Sequence, residues 1–247
     1  MISIVMTFFQ RHKQLLNTLD SFRDYKDFNV VIVDDNSPED IKLKDYPFDV
    51  HLLKLSQKHW INPAPVFNYG FNHAIKECKS DIIVIQNAEC YHVGDILSAV
   101  RDHLTEKNYL SFAAYSLGKD QDINFRNFNM RGAVSNGDSA WYNHSIHRPE
   151  AFHFCCAITA DNLRKLNGFD ERFAPMLGWE DNYFIHQIRT LGLNINIIDD
   201  PYVLHQYHYG VKAFTFDAEL YNYTKSYYNA LKRHKEYRAV HTITPDL

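Results

Sequence analysis

Two carboxylates stand side by side in the stretch MLGWEDNYFIHQIRTLG, Met176 to Gly192, directly after the large aromatic Trp179. Behind Glu180 and Asp181, the apolar residues Phe184, Ile185, Ile188 and Leu191 recur at helical spacing, and Gly192 stops the pattern. Acids suit a helix start because they meet its free N–H groups and the positive end of its dipole. Capping needs one carboxylate, however, and it does not need Trp179. The pair is therefore a candidate for chemistry at the mouth of a helix. Oxygen-bearing residues also follow three apolar runs: Thr7 in ISIVMTFF, Asp34 and Asp35 after FNVVIV, and Asn87 and Glu89 after SDIIVIQ. Helix capping accounts for any one of these sites. All three together fit better with oxygen ligands converging on one crevice. Fourteen histidines complete the inventory, and a few of them sit where ligands could be needed.

The elements that must position these groups are legible in the hydrophobic pattern. ISIVMTFF, FNVVIVDDNS and SDIIVIQNAEC are continuous apolar runs, as expected of strands buried on both faces. Between them, Leu15, Leu16, Leu19 and Phe22 mark one helical face, and Phe67, Phe71, Ala74, Ile75 and Cys78 mark another, with Pro near its start. VGDILSAVRDHL predicts a third helix and YLSFAAYSL a further strand. This rhythm implies βαβ units and a mostly parallel sheet, whose ligands bind beyond the carboxyl ends of the strands. From Gly118 to Glu150 the pattern dissolves into an Asn-, Gly- and Ser-rich segment carrying Trp141 and Tyr142, as in a binding loop. AFHFCCAITADNLRKLNGFD predicts a strand and a helix capped near Thr159 or Asp161, and LNINIID another strand. From Phe214 to His241 a helix is expected, with a stripe of Phe216, Leu220, Tyr223, Tyr227 and Leu231 suited to core packing or a dimer contact.

The bulk numbers narrow the class. A chain of 247 residues with 45% hydrophobic content can bury a sizeable core. A net charge of −4 does not suggest a nucleic-acid surface. There is no run of roughly 18 apolar residues, so no membrane span is expected, and MISIVMTFF reads as a first strand rather than a signal peptide. Cys78, Cys90, Cys155 and Cys156 form no C-x-x-C pair, and they read as reduced thiols of a cytosolic protein.

From Ile2 to about His208 the chain resembles an inverting glycosyltransferase of family 2, with the nucleotide-sugar-binding fold called GT-A. Four stretches carry the resemblance in order: VVIVDDNSPED, NPAPVFNYGFNHAIKECKSDIIVIQNAE, NGFDERFAPMLGWEDNYFIHQIRTLG and VLH. It implies an α/β, Rossmann-like, mostly parallel sheet flanked by helices. Residues 1–210 would form one domain, with a nucleotide-sugar half over 1–115, an acceptor half over 116–210 and a C-terminal helical extension over 211–247. It implies that Thr7, Phe8, Arg11, Asp34, Asp35, Asn68 and Asn87 bind the donor. Glu89 would hold Mn²⁺ or Mg²⁺ with His205, or alternatively His208. Trp179, Trp141, Tyr142 and His144 would form the acceptor wall. Asp181 would be the base that takes the acceptor proton, with Glu180 binding hydroxyls.

The expected partners are a nucleoside diphosphate sugar, UDP-linked by analogy, and a glycan or similar acceptor. A cytoplasmic location is expected, with peripheral membrane association left open, and the C-terminal helix could join two copies. One departure matters: the usual Asp-x-Asp of the metal site reads Asn87-Ala88-Glu89, which leaves one carboxylate for a hard cation. That change favours a rival reading, a catalytically weak or inactive domain that binds sugar nucleotides or glycans. The retained Glu180–Asp181 pair argues against it. A nucleotidyltransferase would carry a Gly-rich loop after its first strand, and TFFQRHKQ has no glycine.

Overall fold

Strand β1 (Ile2–Phe8) is flanked on one side by β2 (Phe28–Asp34) and on the other by β4 (Ile82–Asn87), both parallel to it. Every residue of β2 is buried, which explains its unbroken apolar run. The structure is a computed structural model that describes residues 1–119, 140–208 and 217–247. The other described strands are β3 (Asp49–Lys54), β5 (Cys90–Val93), β6 (Asn108–Ser116), β7 (Ala140–Asn143), β8 (Cys155–Thr159) and β9 (Asn194–His205). They complete one sheet in the order β3-β2-β1-β4-β8-β6-β9-β5, with β7 on β6. β8 runs antiparallel to β4 and β6, and β9 runs parallel to β6. Strands β1, β2, β3, β4, β6 and β9 thus share one direction, and β5, β7 and β8 oppose it. The sheet is mostly parallel, and the α/β expectation holds.

Alternating side chains divide the core between the two faces of the sheet. Ile4, Met6, Val30, Ile32 and Val84 pack under α1 (His12–Asp20) and α3 (Ile96–His103). Val5, Val31, Val33, Ile83 and Ile85 pack under α2 (Ala64–Lys76), α4 (Ala160–Leu166) and α5 (Glu180–Leu191). Helix α2 lies directly on the sheet at Gly70, where a Cβ would stand 2.5 Å from Val5 Cγ1. Thr159 caps α4 through the Asn162 N–H at 3.3 Å. Among the described residues, no helix is long and apolar enough to cross a membrane.

Several elements differ from the sequence reading. Strands β3, β5 and β7 were not expected. β7 forms within the segment predicted to be irregular, of which residues 120–139 lie outside the described residues. The C-terminal helix, α6, covers only Ala218–Leu231; Phe214, where the helix is expected to begin, and Phe216 of the expected stripe lie outside the described residues. After α6 the chain folds back on itself instead of continuing as helix to His241. Its anchor is buried Glu171, which accepts from the N–H groups of Thr242 (2.7 Å), Ile243 (2.6 Å) and Thr244 (3.1 Å) and from Asn68 Nδ2 (3.1 Å). The Thr244 hydroxyl also donates to it.

Burial alone would raise the Glu171 carboxyl, but Thr244, Asn68 and these N–H groups together hold it below its ordinary value of 4.5. A carboxyl depressed in the folded state adds stability above its unfolded value, and that stability is lost as pH falls through the folded value. Glu171→Gln should therefore lose about 1.5–3 kcal/mol at neutral pH and flatten the acid side of the stability profile. Denaturant melts from neutral to acid pH check this, with limited proteolysis of the C-terminal segment reporting its release.

Candidate functional site

The registers of β1 bring three strand ends to one level. Thr7 pairs with Asn87, and Phe8 with Asp34. The Asp35 N–H donates to the Phe8 carbonyl at 2.9 Å and continues the ladder by one residue. A second pairing adds the histidines. β5 runs antiparallel to β9 with Cys90 opposite His205, so Glu89 lies beside the end of β9. The Gln206 N–H donates to the Glu89 carbonyl at 3.0 Å. The buried Gln206 amide also donates to the Gln14 carbonyl (3.0 Å) and Thr18 Oγ1 (3.1 Å), and it accepts from Asn17 Nδ2 (2.9 Å). This ties the loop that carries His205 and His208 to α1.

The result is a charged cluster around Glu89, whose side chain is almost fully buried. Its Oε1 lies 3.2 Å from His205 Nε2 and 3.5 Å from His208 Nε2, and Arg11 forms an ion pair with the same oxygen. Burial opposes ionisation, but His205, His208 and Arg11 outweigh it and hold the carboxyl well below its usual range. One ligand atom from each of Glu89, His205 and His208 falls within 4.8 Å of the others. A carboxylate and two imidazoles are a chemically suitable donor set for a divalent cation, with Mn²⁺ favoured over Mg²⁺ by the imidazoles.

Asp35, also buried, accepts from the Trp60 indole Nε1 at 2.9 Å and pairs with Lys58. The Lys58 ammonium lies over the Phe9 ring, 4.4 Å from its centroid. Burial raises the Asp35 carboxyl even though Lys58 and Trp60 pull the other way. Asp34 faces a different task. Its Oδ1 accepts from the Ser37 N–H at 2.8 Å and shapes the loop.

Opposite these groups, α5 begins in an unusual way. Gly178 (φ 69°) and Trp179 (φ 68°) are both left-handed, a conformation that a bulky residue rarely adopts. The turn delivers Glu180 and Asp181 to the first turn of the helix, and Trp179 supplies no side-chain cap. Asp181 Oδ1 is in direct contact with Nδ1 of buried His153, and neither atom has another partner. The His153 ring is clamped edge-on by Phe67 and Phe169, each with its centroid 4.9 Å away. Burial would lower the His153 pKa, but the charges of Asp181 and Glu180 raise it above 6.5. Glu180 Oε2 is buried without a hydrogen-bond partner. Burial, and then the negative charge of Asp181, push the Glu180 carboxyl up to about 7.

A cavity of about 290 Å³ joins the two sides. Thr7, Phe8, Arg11, Asp35, Asn87 and Glu89 line it from the strand ends, and Glu180 and Asp181 line it from α5. His153, Lys58 and Phe9 also face it; the sequence reading had not singled these out. The only sequence signals for them were a histidine inside the apolar run AFHFCC and a lysine before Trp60.

The structure does not bring the other expected residues into this cavity. Asn68 is buried in α2, where its amide donates to the Phe169 carbonyl (2.8 Å) and accepts from the Phe169 N–H (2.9 Å), so it holds the chain ahead of α5. Trp141 packs edge-on against Tyr115 and under His144, in a small core of its own. His144 Nδ1 lies 3.7 Å from Asp199. Trp179 stacks on Tyr228 of α6 at 5.2 Å and touches Tyr221. Of the expected aromatic wall, only Tyr142 approaches the site, edge-on to His205 at 5.1 Å. Helix starts show a related contrast. Asp95, Thr159 and Asp217 cap α3, α4 and α6 with their side chains, whereas Arg11 and Trp179, at the starts of α1 and α5 beside the cavity, do not cap theirs.

A model of glycosyl transferase family 2 matches residues 3–166 of the chain. Among solved structures, the catalytic domain of Drosophila beta1,4galactosyltransferase 7, in complex with xylobiose, is similar with a TM-score of 0.57 at 12% identity. That match covers 96% of this chain and 81% of the other. S. aureus TarS is similar with a TM-score of 0.56 at 12% identity, over 83% of this chain and 36% of TarS. At such identity the likeness is one of fold. No curated protein matches the sequence.

The His153–Asp181 contact has a direct signature. In the folded protein His153 should titrate above 6.5, so it adds stability that is complete below the unfolded value and is lost as pH rises through the folded one. Asp181→Asn should bring the His153 titration down, as followed by NMR of its ring protons.

Proposed function

The chain belongs to glycosyl transferase family 2, and from that premise we propose that it moves a sugar from a nucleoside diphosphate sugar to an acceptor hydroxyl with inversion. A UDP-sugar is the donor by analogy with the family, and a glycan or glycosylated molecule is the acceptor. The observation that carries this reading is one cavity with donor-type groups on one wall and the Glu180–Asp181 pair on the other.

In this reading Asp35, with Lys58 and Phe9, holds the nucleoside, and Arg11 offers its guanidinium to the diphosphate. Glu89, His205 and His208, with Asn87 at the neighbouring strand end, would hold a divalent cation. Such a cation, when bound, supplies positive charge for the departing diphosphate. Asp181 accepts the proton of the acceptor hydroxyl while that oxygen bonds to the anomeric carbon. The bond from carbon to phosphate oxygen breaks on the opposite side, and its electron pair leaves with the diphosphate. The anomeric configuration inverts, and no sugar–enzyme bond forms. His153 fixes the Asp181 carboxylate through one oxygen and leaves the other for the hydroxyl. Glu180, which retains a proton to about neutral pH, can donate to a sugar oxygen while Asp181 accepts. Two acids with separated tasks are the expected result of two different environments.

The ion pair between Arg11 and Glu89 favours a second reading, in which the cluster is self-neutralised and the domain only binds. Turnover separates the two. Asp181→Asn should lower kcat by about 10²–10⁴ with donor affinity near the wild-type value, and NMR of the product should show an inverted anomeric centre. Near-normal turnover by this variant, or a retained configuration, would sink the assignment. For the cation, EDTA should abolish transfer and Mn²⁺ restore it, while Glu89→Gln should shift the Mn²⁺ titration to much higher concentration. Full activity in EDTA would remove Glu89 from that role.

A further inference from the structure

Away from the cavity, three metal-ligating side chains meet between the edge strand β3 and helix α2. His51 Nδ1 and His73 Nε2 face one another at 3.0 Å. Cys78 Sγ completes a group in which one ligand atom of each residue falls within 4.8 Å of the others. The local sequence explains the meeting. On β3, alternate residues share a face, and His51 continues the row of Leu53 and Leu55, which pack into the core under α2. Position 51 could therefore have been filled by an aliphatic residue. On α2, His73 lies in the last turn, and the Cys78 N–H donates back to the His73 carbonyl at 3.2 Å, which folds the thiol under the same helix end. All three side chains are half-buried. The cluster lies ten residues along α2 from Pro63, which lines the cavity. That is on the order of 15 Å at 1.5 Å per residue, too far for the two groups to share one ion.

We propose that His51, His73 and Cys78 form a second cation site, for a divalent transition metal of the zinc type, separate from the site at Glu89. A hydrogen bond between the two imidazoles would satisfy one nitrogen of each ring, and Cys78, which packs against the core under α2 and hydrogen-bonds with the Ser3 side chain, stands within reach as the third ligand. Two imidazoles and a thiolate form a borderline-to-soft donor set. It selects Zn²⁺ or Co²⁺ over Mg²⁺ and Mn²⁺, whereas the carboxylate-containing cluster at Glu89 accepts harder ions. The nitrogen separation is already close to the spacing of two ligands about 2.0–2.1 Å from a tetrahedral ion, with water as the fourth ligand. On binding, the Cys78 thiol proton leaves to solvent. Any proton shared between the rings moves to an outward nitrogen, so both inward lone pairs reach the ion. The ion would clip the sheet's outermost strand to the helix that covers it. β2, which ends at Asp34 and leads into Asp35, is the strand next to β3.

Co²⁺ titration of the full chain, cleared of metal with a chelator, tests the site. The Glu89→Gln variant is used so that the other cluster does not compete. One equivalent of Co²⁺ should give a thiolate-to-metal charge-transfer band and the visible bands of four-coordination, and Zn²⁺ should displace it. The thiolate must be that of Cys78, because Cys90, Cys155 and Cys156 are each 0% exposed. Cys78→Ser should lose the charge-transfer band, and His73→Gln should weaken Co²⁺ binding by tenfold or more. In the Glu89→Gln protein, Zn²⁺ at a hundredfold excess over its Kd should raise Tm by roughly 5–10 °C and protect Cys78 from iodoacetamide. Stoichiometric Co²⁺ binding without a thiolate band, a band that survives Cys78→Ser, or alkylation of Cys78 at an unchanged rate in Zn²⁺ would each overturn the proposal. The alkylation result needs no variant at the site, so it holds even if Cys78→Ser folds poorly.

Discussion

The pairing of β1 with β2 on one side and β4 on the other places the first set of strand-end groups of the site. Thr7 opposite Asn87 and Phe8 opposite Asp34 are consequences of that register. A slip of one residue would turn Asp35 toward the opposite face and exchange the two cores, since the side-chain period of a strand is two. Gly70 shows how tightly the arrangement is held, because α2 meets the sheet with no room for a side chain at that point. The β5–β9 pairing then depends on β4, since Glu89 sits in the short turn that joins β4 to β5. The carboxylate cluster is in this way an outgrowth of the central parallel ladder.

Burying charge is costly unless each charge meets a partner, and the cavity wall follows this rule group by group. Asp35 has Lys58 and Trp60, Glu89 has Arg11 and two histidines, and Asp181 has His153. Glu180 is the exception. With no hydrogen-bond partner at Oε2 and a like charge beside it, it responds by holding its proton more tightly. The two adjacent acids are equivalent in sequence and are separated only by what surrounds them. The left-handed pair Gly178–Trp179 is the local reason they enter the helix facing the cavity.

The long apolar runs were readable because they are buried on both faces, and they place Thr7, Asp35 and Glu89 at strand ends without further help. The Glu180–Asp181 pair was readable because helix capping alone needs only one acid. β3, β5 and β7 were not readable. Each has only four to six residues, and β3 has no fully buried position, so none forms a continuous apolar run. His153 was hidden because a single histidine in an apolar run looks the same whether it packs or pairs, and its partner lies 28 residues on. The expected aromatic wall is not assembled at the cavity. Trp141 and Trp179 found neighbours in Tyr115 and Tyr228, the ordinary fate of a large ring.

Arg11 and Trp179, the residues that open α1 and α5, give no side-chain cap, and neither does Pro63 at the start of α2, whereas α3, α4 and α6 are capped. At Arg11 the omission forgoes about 1 kcal/mol that serine or aspartate would add, while at Trp179 the left-handed backbone itself precludes such a cap. The missing caps lie beside the cavity, where a helix N-terminus suits an incoming anion. Selection for heat resistance alone would be drawn to position 11 first, and would plug that helix start with the protein's own oxygen. The fold therefore has its easiest thermal improvement where it would compete with occupancy of the cavity, and a thermostable descendant that kept its activity would have to find its stability elsewhere.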